Sequence, residues 1–375
     1  MLLIEADGKA LFADHGIAVP PGLVVTAADV IAPPAETGPW MVKAQVPVGG
    51  RGKAGGIRRC GSAEDVAQAV RAMLGTRLKG HTVEACLIEQ VAAGEERYLA
   101  IMVDPPHYGV RVIYLAEGGM EVEQGDGDHG GVACAPELAE IVAALDRLIA
   151  GEADAVRASV AEVGRRLAEM LLARELALAE INPLFVSETG CIAGDAKVVV
   201  DLGAVDRQPR IADLIAARPT IYLDANRKLQ EGFDYVELDP EGEIGLVTTG
   251  AGLSMMLIDE LTAQGMKPLN FCDVRTGQLR GSPQRLIRVL EWITARPSLR
   301  VVLVNIFAGI TDLGEFASLL SDAVAACPTL RVPVVARLVG RGAAEARRIL
   351  AEKRADIAVE EELPAALARI RAVLA

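Results

Sequence analysis

The sequence predicts an α+β domain followed by a doubly wound α/β domain. Short strands and helices mix irregularly as far as about residue 205, which is typical of α+β structure. From about residue 235 strands and helices alternate regularly. Strands such as 301–304 are continuously apolar, as expected when helices cover both faces of a parallel sheet. At 375 residues the chain exceeds what one core usually supports. We therefore predict domains over residues 1–220 and 239–375, joined by a linker over 221–238.

The first half begins with a predicted helix over residues 3–16, where apolar residues recur at helical spacing before Gly16 and the breaker Pro20-Pro21. The strands expected after it cover residues 41–46, 85–91, 97–103, 110–115 and 191–200, and the helices cover 64–74 and 153–173. The run from Gly125 to Gly131 has no apolar residue to bury, so we expect a mobile loop there.

The second half follows one regular pattern. Its predicted strands cover residues 243–249, 268–273, 300–307, 332–338 and 356–359. Its predicted helices cover residues 252–264, 283–295, 313–326, 342–353 and 362–374. This alternation predicts a parallel sheet with helices on both faces.

Composition narrows the class of protein. The net charge of −13 argues against nucleic acid or an anionic membrane as a general partner, and 3% aromatic residues argue against base-stacking surfaces. No apolar run reaches the roughly 18 residues of a membrane span. Six cysteines without a CxxC pair favour reduced thiols. We expect a cytoplasmic protein.

The strongest chemical signal is the segment from Gly49 to Gly56, which carries five glycines and the cations Arg51 and Lys53. Glycines let the backbone approach an anion and turn its N–H groups toward it, while the cations supply countercharge. The segment is not a P-loop, because Ala54 stands where Ser or Thr would follow the lysine. It predicts a polyphosphate site in a different nucleotide fold. A flexible basic surface loop is the alternative that this segment alone leaves open.

Other residues fit a nucleotide site by position. Lys43 alternates with apolar neighbours and so faces away from the buried side of its strand. The segment Glu89 to Val91 ends an apolar strand whose edge could pair with adenine, and a carboxylate just beyond it could hold ribose hydroxyls.

Two oxygen donors suggest a metal site. Asn182 and Asp195 stand at the ends of two apolar strands predicted to form a hairpin. Mg²⁺ takes one or two protein oxygens and completes its shell with phosphates and water. Read as structure alone, Asn182-Pro183 is a turn signal and Asp195 a strand-end carboxylate.

These motifs recur in a recognisable order. They are Val42-Lys43-Ala44-Gln45, Gly50-Arg51-Gly52-Lys53-Ala54-Gly55-Gly56, Glu96-Arg97-Tyr98, Glu180-Ile181-Asn182-Pro183-Leu184, Thr249-Gly250-Ala251-Gly252-Leu253 and Val304-Asn305-Ile306-Phe307. Over nearly the whole chain this set resembles the β subunits of succinyl-CoA synthetases (ADP-forming succinate-CoA ligases) and of the related malate-CoA ligases. The resemblance implies an ATP-grasp domain followed by a flavodoxin-like CoA-ligase domain.

The resemblance also implies roles for single residues. Lys43, Arg51, Gly52 and Lys53 would bind nucleotide phosphates, Glu89 and Val91 the adenine edge, Glu96 the ribose side, Asn182 and Asp195 the Mg²⁺, and Glu180 would steady a phosphohistidine. The family's phosphorylated histidine belongs to the α subunit, and none of His15, His81, His107 and His129 matches its motif. A separate CoA-binding α-type partner is therefore implied, with ATP, CoA and an organic acid as substrates, and we expect a dicarboxylic acid.

The second half departs from the family's glycine-rich loops. Asp273 is followed by Val274-Arg275-Thr276-Gly277, and Asn305 begins Asn305-Ile306-Phe307-Ala308-Gly309-Ile310-Thr311. Both segments follow predicted parallel strands, where open α/β sheets bind ligands. The substrate-binding candidates are Gly250, Arg275, Thr276, Gly277, Asn305, Gly309, Ile310 and Thr311.

Two other functions remain open. Gly250-Ala251-Gly252 with Asp273 begins a dinucleotide fingerprint whose third glycine is missing, so an NAD-binding oxidoreductase is one alternative. A non-catalytic nucleotide-binding subunit is the other. The preferred hypothesis is the β-type subunit of an ADP-forming acid-thiol ligase that uses Mg-ATP to phosphorylate its partner.

Overall fold

The computed structural model describes residues 1–26, 38–116, 131–187, 190–309, 311–354 and 356–375. They form two compact units, Met1–Tyr222 and Leu223–Ala375. Of the loop predicted from Gly125 to Gly131, residues 125–130, with His129, lie outside the described residues, as does Ile310. No helix within the described ranges is long and apolar enough to cross a membrane.

A small antiparallel sheet opens the first unit. Its elements are α1 (Glu5–Asp14), β1 (Gly22–Val25), β2 (Trp40–Ala44), β3 (Ile57–Cys60), α2 (Ala63–Met73), the short pair β4 (Arg77–Leu78) and β5 (His81–Thr82), and β6 (Cys86–Gln90). The sheet order is β1-β6-β2-β3. The helix α2 packs on this sheet because Val66 and Val70 join Val42 and Ile88 in one core. Ser62 and Asp65 start α2 with a reciprocal capping box.

A larger antiparallel sheet completes the first unit. Its elements are β7 (Glu95–Asp104), β8 (Gly109–Leu115), β9 (Val132–Cys134), α3 (Leu138–Leu148), α4 (Asp154–Ala173), β10 (Leu176–Ser187), β11 (Gly190–Ala193), β12 (Lys197–Val200) and α5 (Pro209–Ala216). The sheet order is β11-β10-β7-β8-β9, and β12 also pairs with β10. The helix α4 packs against β10, and α3 packs against β8.

The strand predicted over residues 191–200 is in fact two strands, β11 and β12. Both pair antiparallel with β10, but residues 194–196 leave the ladder between them. There the Gly194 N–H donates to the Pro183 carbonyl at 2.9 Å. The break faces the Asn182-Pro183 segment, so the two predicted metal-binding residues lie on opposite sides of one irregularity in the sheet.

The second unit begins inside the predicted linker. Its elements are α6 (Leu223–Glu231), β13 (Asp234–Glu237), β14 (Ile244–Thr248), α7 (Ala251–Ala263), β15 (Asn270–Asp273), α8 (Gln284–Thr294), β16 (Val301–Ala308), α9 (Leu313–Ala326), β17 (Val334–Gly340), α10 (Ala343–Lys353), β18 (Ile357–Glu360) and α11 (Leu363–Leu374). Phe233 and Tyr235 are fully buried, and both rings contact Trp292. These aromatic contacts make the stretch around β13 part of the core.

The parallel sheet is covered on both faces, as predicted. Its strands have the order β14-β16-β17-β18. Ile244 and Leu246 pack with α7 and α11, whereas Val247 packs with α8, α9 and α10. This alternation explains why strand segments such as residues 301–304 are continuously apolar.

Strand β15 departs from the simple parallel pattern. Its regular pairing is antiparallel, with β13, although the sequence predicts a parallel strand. It nevertheless lies beside β14, because the Asn270 side chain bonds both the N–H and the carbonyl of Leu246 at 2.9 Å. Val274 N–H also donates to the Thr248 carbonyl. With β15 in this place, the order β15-β14-β16-β17-β18 is that of flavodoxin-like folds.

Candidate functional site

The first unit contains a cavity of about 290 Å³ that is formed by the beginning of α1, the loop after β2, the end of β6 and the β10–β12 region. It gathers nine of the ten residues predicted for nucleotide chemistry. They are Lys43, Arg51, Gly52, Lys53, Glu89, Val91, Glu180, Asn182 and Asp195. Residues up to 152 positions apart in sequence, from Lys43 to Asp195, thus line one space.

Glu96 is the tenth predicted residue, and it does not line the cavity. Its side chain is exposed on β7. It pairs directly across the sheet with Phe185, which does line the cavity. Directly paired residues project from the same face of a sheet, so Glu96 lies on the cavity side.

The glycine-rich loop has the backbone geometry that the sequence predicts. Gly50 and Gly55 adopt positive φ angles of 67° and 78°, which favour glycine. The loop is closed by hydrogen bonds from the N–H of Gly56 to the Arg51 carbonyl and from Ala44 to the Gly56 carbonyl, at 2.9 and 2.8 Å. Gly56 also lies so close to Leu78 that a Cβ there would be 2.7 Å from its side chain.

Lys43 faces the cavity, whereas its neighbours Val42 and Ala44 pack in the core on the other side of the sheet. The lysine is only 6% exposed. Its Nζ contacts Glu5 at 2.7 Å, Glu89 at 2.6 Å and the Gly194 carbonyl at 2.9 Å. The prediction of its direction was right, but its near-complete burial among carboxylates was not foreseen.

Arg51 is also bound to the protein. Its guanidinium contacts Glu5 at 2.7 Å, Asp195 at 3.1 Å and the Ala44 carbonyl at 3.2 Å. Burial alone would lower the pKa of Arg51, but Glu5 and Asp195 outweigh it and raise the pKa. The loop cation is therefore fixed to the wall of the cavity.

Two charged residues of α1 were missed by sequence reasoning. Glu5 is buried with Lys9, and the Lys9 ammonium contacts Glu5 at 2.9 Å, Glu89 and the Gly194 carbonyl. The available signal was an acid and a base one helical turn apart, within a helix whose apolar spacing implied a buried face. The prediction used only the apolar residues of that helix.

The electrostatic environment differs between the two acidic residues that contact Arg51. Burial would raise the pKa of Glu5, but Lys43, Lys9 and Arg51 hold it well below its ordinary value. For Asp195, burial and the nearby Glu5 carboxylate raise the pKa to about 6. Glu5 is thus a permanent anion.

Glu180 and Asn182 lie on β10 at the cavity wall. Glu180 pairs across the sheet with Lys197, whose ammonium is 3.0 Å from the carboxylate. The Asn182-Pro183 peptide bond is cis. Lys197 lines the cavity too, and no role was predicted for it.

The donors at this wall fit Mg²⁺ better than a transition metal. Within the described ranges, no group of three or more His, Cys, Asp or Glu could hold a metal ion. Asn182 and Asp195 offer amide and carboxylate oxygens, and the Asp195 side chain keeps 31% of its surface exposed. One or two such oxygens are the protein share that Mg²⁺ takes beside phosphates.

The second unit brings its own predicted residues to the carboxyl edge of the sheet. Gly250 begins α7 with a φ angle of 83°, and its N–H donates to Asp273 at 3.0 Å. The hydroxyls of Thr276 and Thr311 are 2.9 Å apart, and the Thr249 hydroxyl is 3.5 Å from that of Thr276. Three hydroxyls therefore cluster where β14, β15 and β16 end.

Asn305 and Arg275 occupy different environments at that edge. Asn305 is fully buried; its Oδ1 accepts from Arg337 at 3.1 Å, and its Nδ2 has no hydrogen-bond partner among the described residues. Arg275 has a φ angle of 47° and forms an ion pair with Asp234 at 2.9 Å. Within the part of the chain that the structure describes, no atom lies within 4 Å of a Cβ position at Gly277 or Gly309.

Comparisons with known proteins define the class first. A family model for the ATP-grasp domain matches residues 2–186, and one for the CoA-ligase domain matches residues 247–371. The segment from Gly250 to Gly252 therefore belongs to a CoA-ligase domain. The structure of ATP citrate lyase from Methanothrix soehngenii, in complex with citrate and coenzyme A, shares the fold, with a TM-score of 0.73 and 19% identity over 96% of this chain and 95% of that one.

Curated relatives then define the family. The β subunit of succinate–CoA ligase [ADP-forming] from Rubrobacter xylanophilus is 35% identical, covering 94% of this chain and 93% of the relative. That of Chloroflexus aurantiacus is 36% identical over 94% of each chain. Subunit beta 2 of the ADP-forming succinate–CoA ligase from Archaeoglobus fulgidus is 32% identical, covering 94% of this chain and 93% of the relative. The chain belongs to the β-subunit family of ADP-forming succinate–CoA ligases, which confirms the family and the fold predicted from its motifs.

Proposed function

We propose that this chain is the nucleotide-binding β-type subunit of an ADP-forming carboxylate–CoA ligase and that it acts with an α-type partner. The observation that carries the proposal is the single cavity in which the glycine loop, Lys43, Glu180 and the Asn182–Asp195 pair meet. The relatives named above are β subunits of succinate–CoA ligases, which supports the same reading.

The proposed reaction has three balanced steps. A nitrogen of the partner's histidine attacks the γ-phosphorus of ATP, and ADP leaves with the electrons of the broken P–O bond. The phosphoryl group then passes to a carboxylate oxygen of the acid and forms an acyl phosphate. Finally the CoA thiol attacks the acyl carbon, loses its proton, and inorganic phosphate leaves. Dividing one condensation into these steps lowers each barrier.

The residues of the cavity have distinct tasks in this proposal. Lys43, Arg51, Lys53 and the N–H groups of the loop bind the phosphates, and they neutralise charge as it shifts toward ADP. Asn182 and Asp195 would hold Mg²⁺, which supplies countercharge to the phosphates. Glu180, fixed by Lys197 at 3.0 Å, accepts a hydrogen bond from the incoming imidazole and orients it.

The histidines of this chain support the need for a partner. His15, His81 and His107 lie in the described part of the chain, and none of them lines the cavity. His15 contacts the Leu11 carbonyl, and His107 contacts Asp104. His129 lies outside the described residues and matches no family motif, so we assign the phosphorylated residue to the partner subunit as part of this proposal.

The acid would bind at the edge formed by Gly250, Thr276, Asn305 and Thr311. Hydroxyl and amide donors there suit a carboxylate with a further oxygen-bearing group, so a substituted dicarboxylic acid is the proposed substrate class. Arg275 would add an anion-binding donor only by exchanging its contact with Asp234, which Lys228 also contacts at 2.8 Å.

The test separates the ligase from a non-catalytic subunit. We expect the purified chain to bind Mg-ATP but to form no acyl-CoA thioester by itself, because it lacks the phosphorylated histidine. Addition of the co-purified α-type chain should give a phosphohistidine on that partner and thioester formation with an acid from a panel. Thioester formation by the chain alone, or ATP binding without any partner phosphorylation, would contradict the proposal.

A further inference from the structure

Protein groups already occupy the donors with which Lys43 could bind phosphate. An ammonium group has three N–H donors. All three of those on Lys43 are accounted for by Glu5, Glu89 and the Gly194 carbonyl. A phosphate oxygen can bind Lys43 only if one of these acceptors gives way.

Glu5 is the acceptor that spans both predicted phosphate-binding cations. Its Oε1 contacts Lys43 at 2.7 Å, and its Oε2 contacts Arg51 at 2.7 Å. One carboxylate thus lies between the two cations, with one oxygen toward each. Two oxygens of a phosphate could bind the same two cations in the same way. Glu5 borders the cavity, but its side chain is fully buried, so a phosphate that binds Lys43 and Arg51 from the cavity must draw them away from Glu5.

Lys9 makes an exchange at this position energetically possible. It contacts Glu5 at 2.9 Å but does not line the cavity, so it approaches the carboxylates from behind. If phosphate takes over Lys43 and Arg51, Glu5 keeps Lys9 as its counter-ion. A buried carboxylate without any partner would cost far more.

We propose that Glu5 is an internal competitor of the nucleotide's phosphates for Lys43 and Arg51, and that Lys9 sets the strength of this competition. The inference rests on the proposed function, since it assumes that polyphosphate binds in this cavity. In this arrangement Glu5 is a positioning residue that acts through the two cations. It limits nucleotide affinity and keeps both cations aimed into the cavity.

The charge balance predicts opposite effects for two substitutions. Lys9, Lys43 and Arg51 face Glu5, Glu89 and Asp195, so the cluster carries three charges of each sign when all six groups are ionised. Glu5→Gln removes the competitor and leaves the cluster one charge more positive. Lys9→Met leaves it one charge more negative and frees Glu5 to bind Lys43 and Arg51 more strongly.

The experiment is isothermal titration of the full chain with Mg-ATP and, separately, with inorganic tripolyphosphate. We expect Glu5→Gln to tighten both ligands by about tenfold and Lys9→Met to weaken both by a similar factor, as for gain or loss of one charge-assisted hydrogen bond. Asp14→Asn is the matched control, because it removes one negative charge from the same helix at an exposed pair with Arg210. It should leave both affinities unchanged.

A merely structural role for Glu5 predicts a different pattern, with binding weakened by both substitutions and melting temperature lowered. That pattern, or an unchanged affinity in Glu5→Gln, would overturn the inference. If Glu5→Gln does not fold, Glu5→Asp keeps the charge but shortens its reach, and it must still tighten binding by a smaller factor. Failure of the unmodified chain to bind Mg-ATP would instead overturn the proposed function itself.

Discussion

In the first unit, the candidate site consists of charged side chains buried in ion pairs, whereas in the second unit it consists mainly of threonine hydroxyls and one buried amide at a sheet edge. Lys43 and Arg51 are each at most 7% exposed and contact carboxylates. Thr276 and Thr311 satisfy each other with a neutral hydrogen bond. Removing one partner of a buried ion pair costs a large free energy, because the other charge is left unpaired. Neutral hydroxyls can exchange hydrogen-bond partners at a small cost in free energy.

The difference matches the ligands proposed for each unit. A polyphosphate carries several negative charges, and a cluster of fixed cations can stabilise it without reorganising during the reaction. A small organic acid is distinguished from its relatives by shape and a few oxygen atoms, which hydroxyl and amide groups can recognise. In the proposed function, the first unit provides strength of binding and the second provides selectivity.

The largest expected effect comes from breaking the charge cluster. Lys43→Met should lower the free energy of unfolding of the first unit by about 3 kcal/mol, because it leaves buried carboxylates short of a partner. Lys197→Met is the matched control, since its side chain is 46% exposed and pairs with Glu180; there we expect a loss of about 0–1 kcal/mol. The measurement is urea unfolding followed by Trp40 fluorescence in a Trp292→Phe background. Equal losses of unfolding free energy in both variants would show that burial of the charge cluster does not increase its contribution to stability.

The next effect concerns Asp195, the proposed Mg²⁺ ligand at the edge of that cluster. Asp195→Ala should raise the Mg²⁺ concentration needed for half-maximal partner phosphorylation by roughly 100-fold, the upper range for changes around a metal site. The fold should persist, because Asp195 is partly exposed and contributes no core packing. Asp201→Ala is the control, because this carboxylate accepts from the Gly203 N–H and does not line the cavity. An unchanged Mg²⁺ dependence would refute the assignment of Asp195.

The smallest expected effect tests the second unit. Arg275→Gly should reduce kcat/KM for the preferred acid by about tenfold while leaving the KM for ATP unchanged, because one charge-assisted hydrogen bond is lost. We also expect succinate to be a poor substrate of the unmodified complex. Arg280→Gly is the matched control, since Arg280 has the same left-handed backbone, with a φ angle of 51°.

Two outcomes would contradict this last prediction. Equal losses for every acid in the panel would show that Arg275 only holds Asp234 in place. Succinate as the best substrate would show that the altered loops do not select the acid. Either result would reduce the contrast between the two units, because selectivity would then come from elsewhere.

Much of the second unit could be predicted because its signals are local. Apolar runs such as 301–304 and helical periodicity between them give parallel strands and covering helices without knowledge of contacts. Strand β15 is the exception, since the Asn270 side chain takes the place of the ladder between the backbone hydrogen bonds that Leu269 and Val274 form with β14. Nothing in the local pattern indicates that an amide side chain will do so.

The order and chemistry of the motifs in the first unit also identified the family and nine of the residues that line the cavity. Glu5 and Lys197 line it too and were missed. The prediction of one strand over residues 191–200 missed the break between β11 and β12, although Gly194-Asp195 interrupts the apolar run. The structure adds that the Gly194 N–H bonds the Pro183 carbonyl at this break.

The sequence by itself determined which residue types face the nucleotide chemistry, because glycine spacing, strand alternation and oxygen donors are properties of neighbouring residues. Only the tertiary structure decided that Glu5 and Lys9, far from these motifs in the chain, complete a neutral cluster around Lys43 and Arg51. The physical reason is that a buried charge is stable only beside an opposite charge, and the fold chooses that partner from any part of the chain.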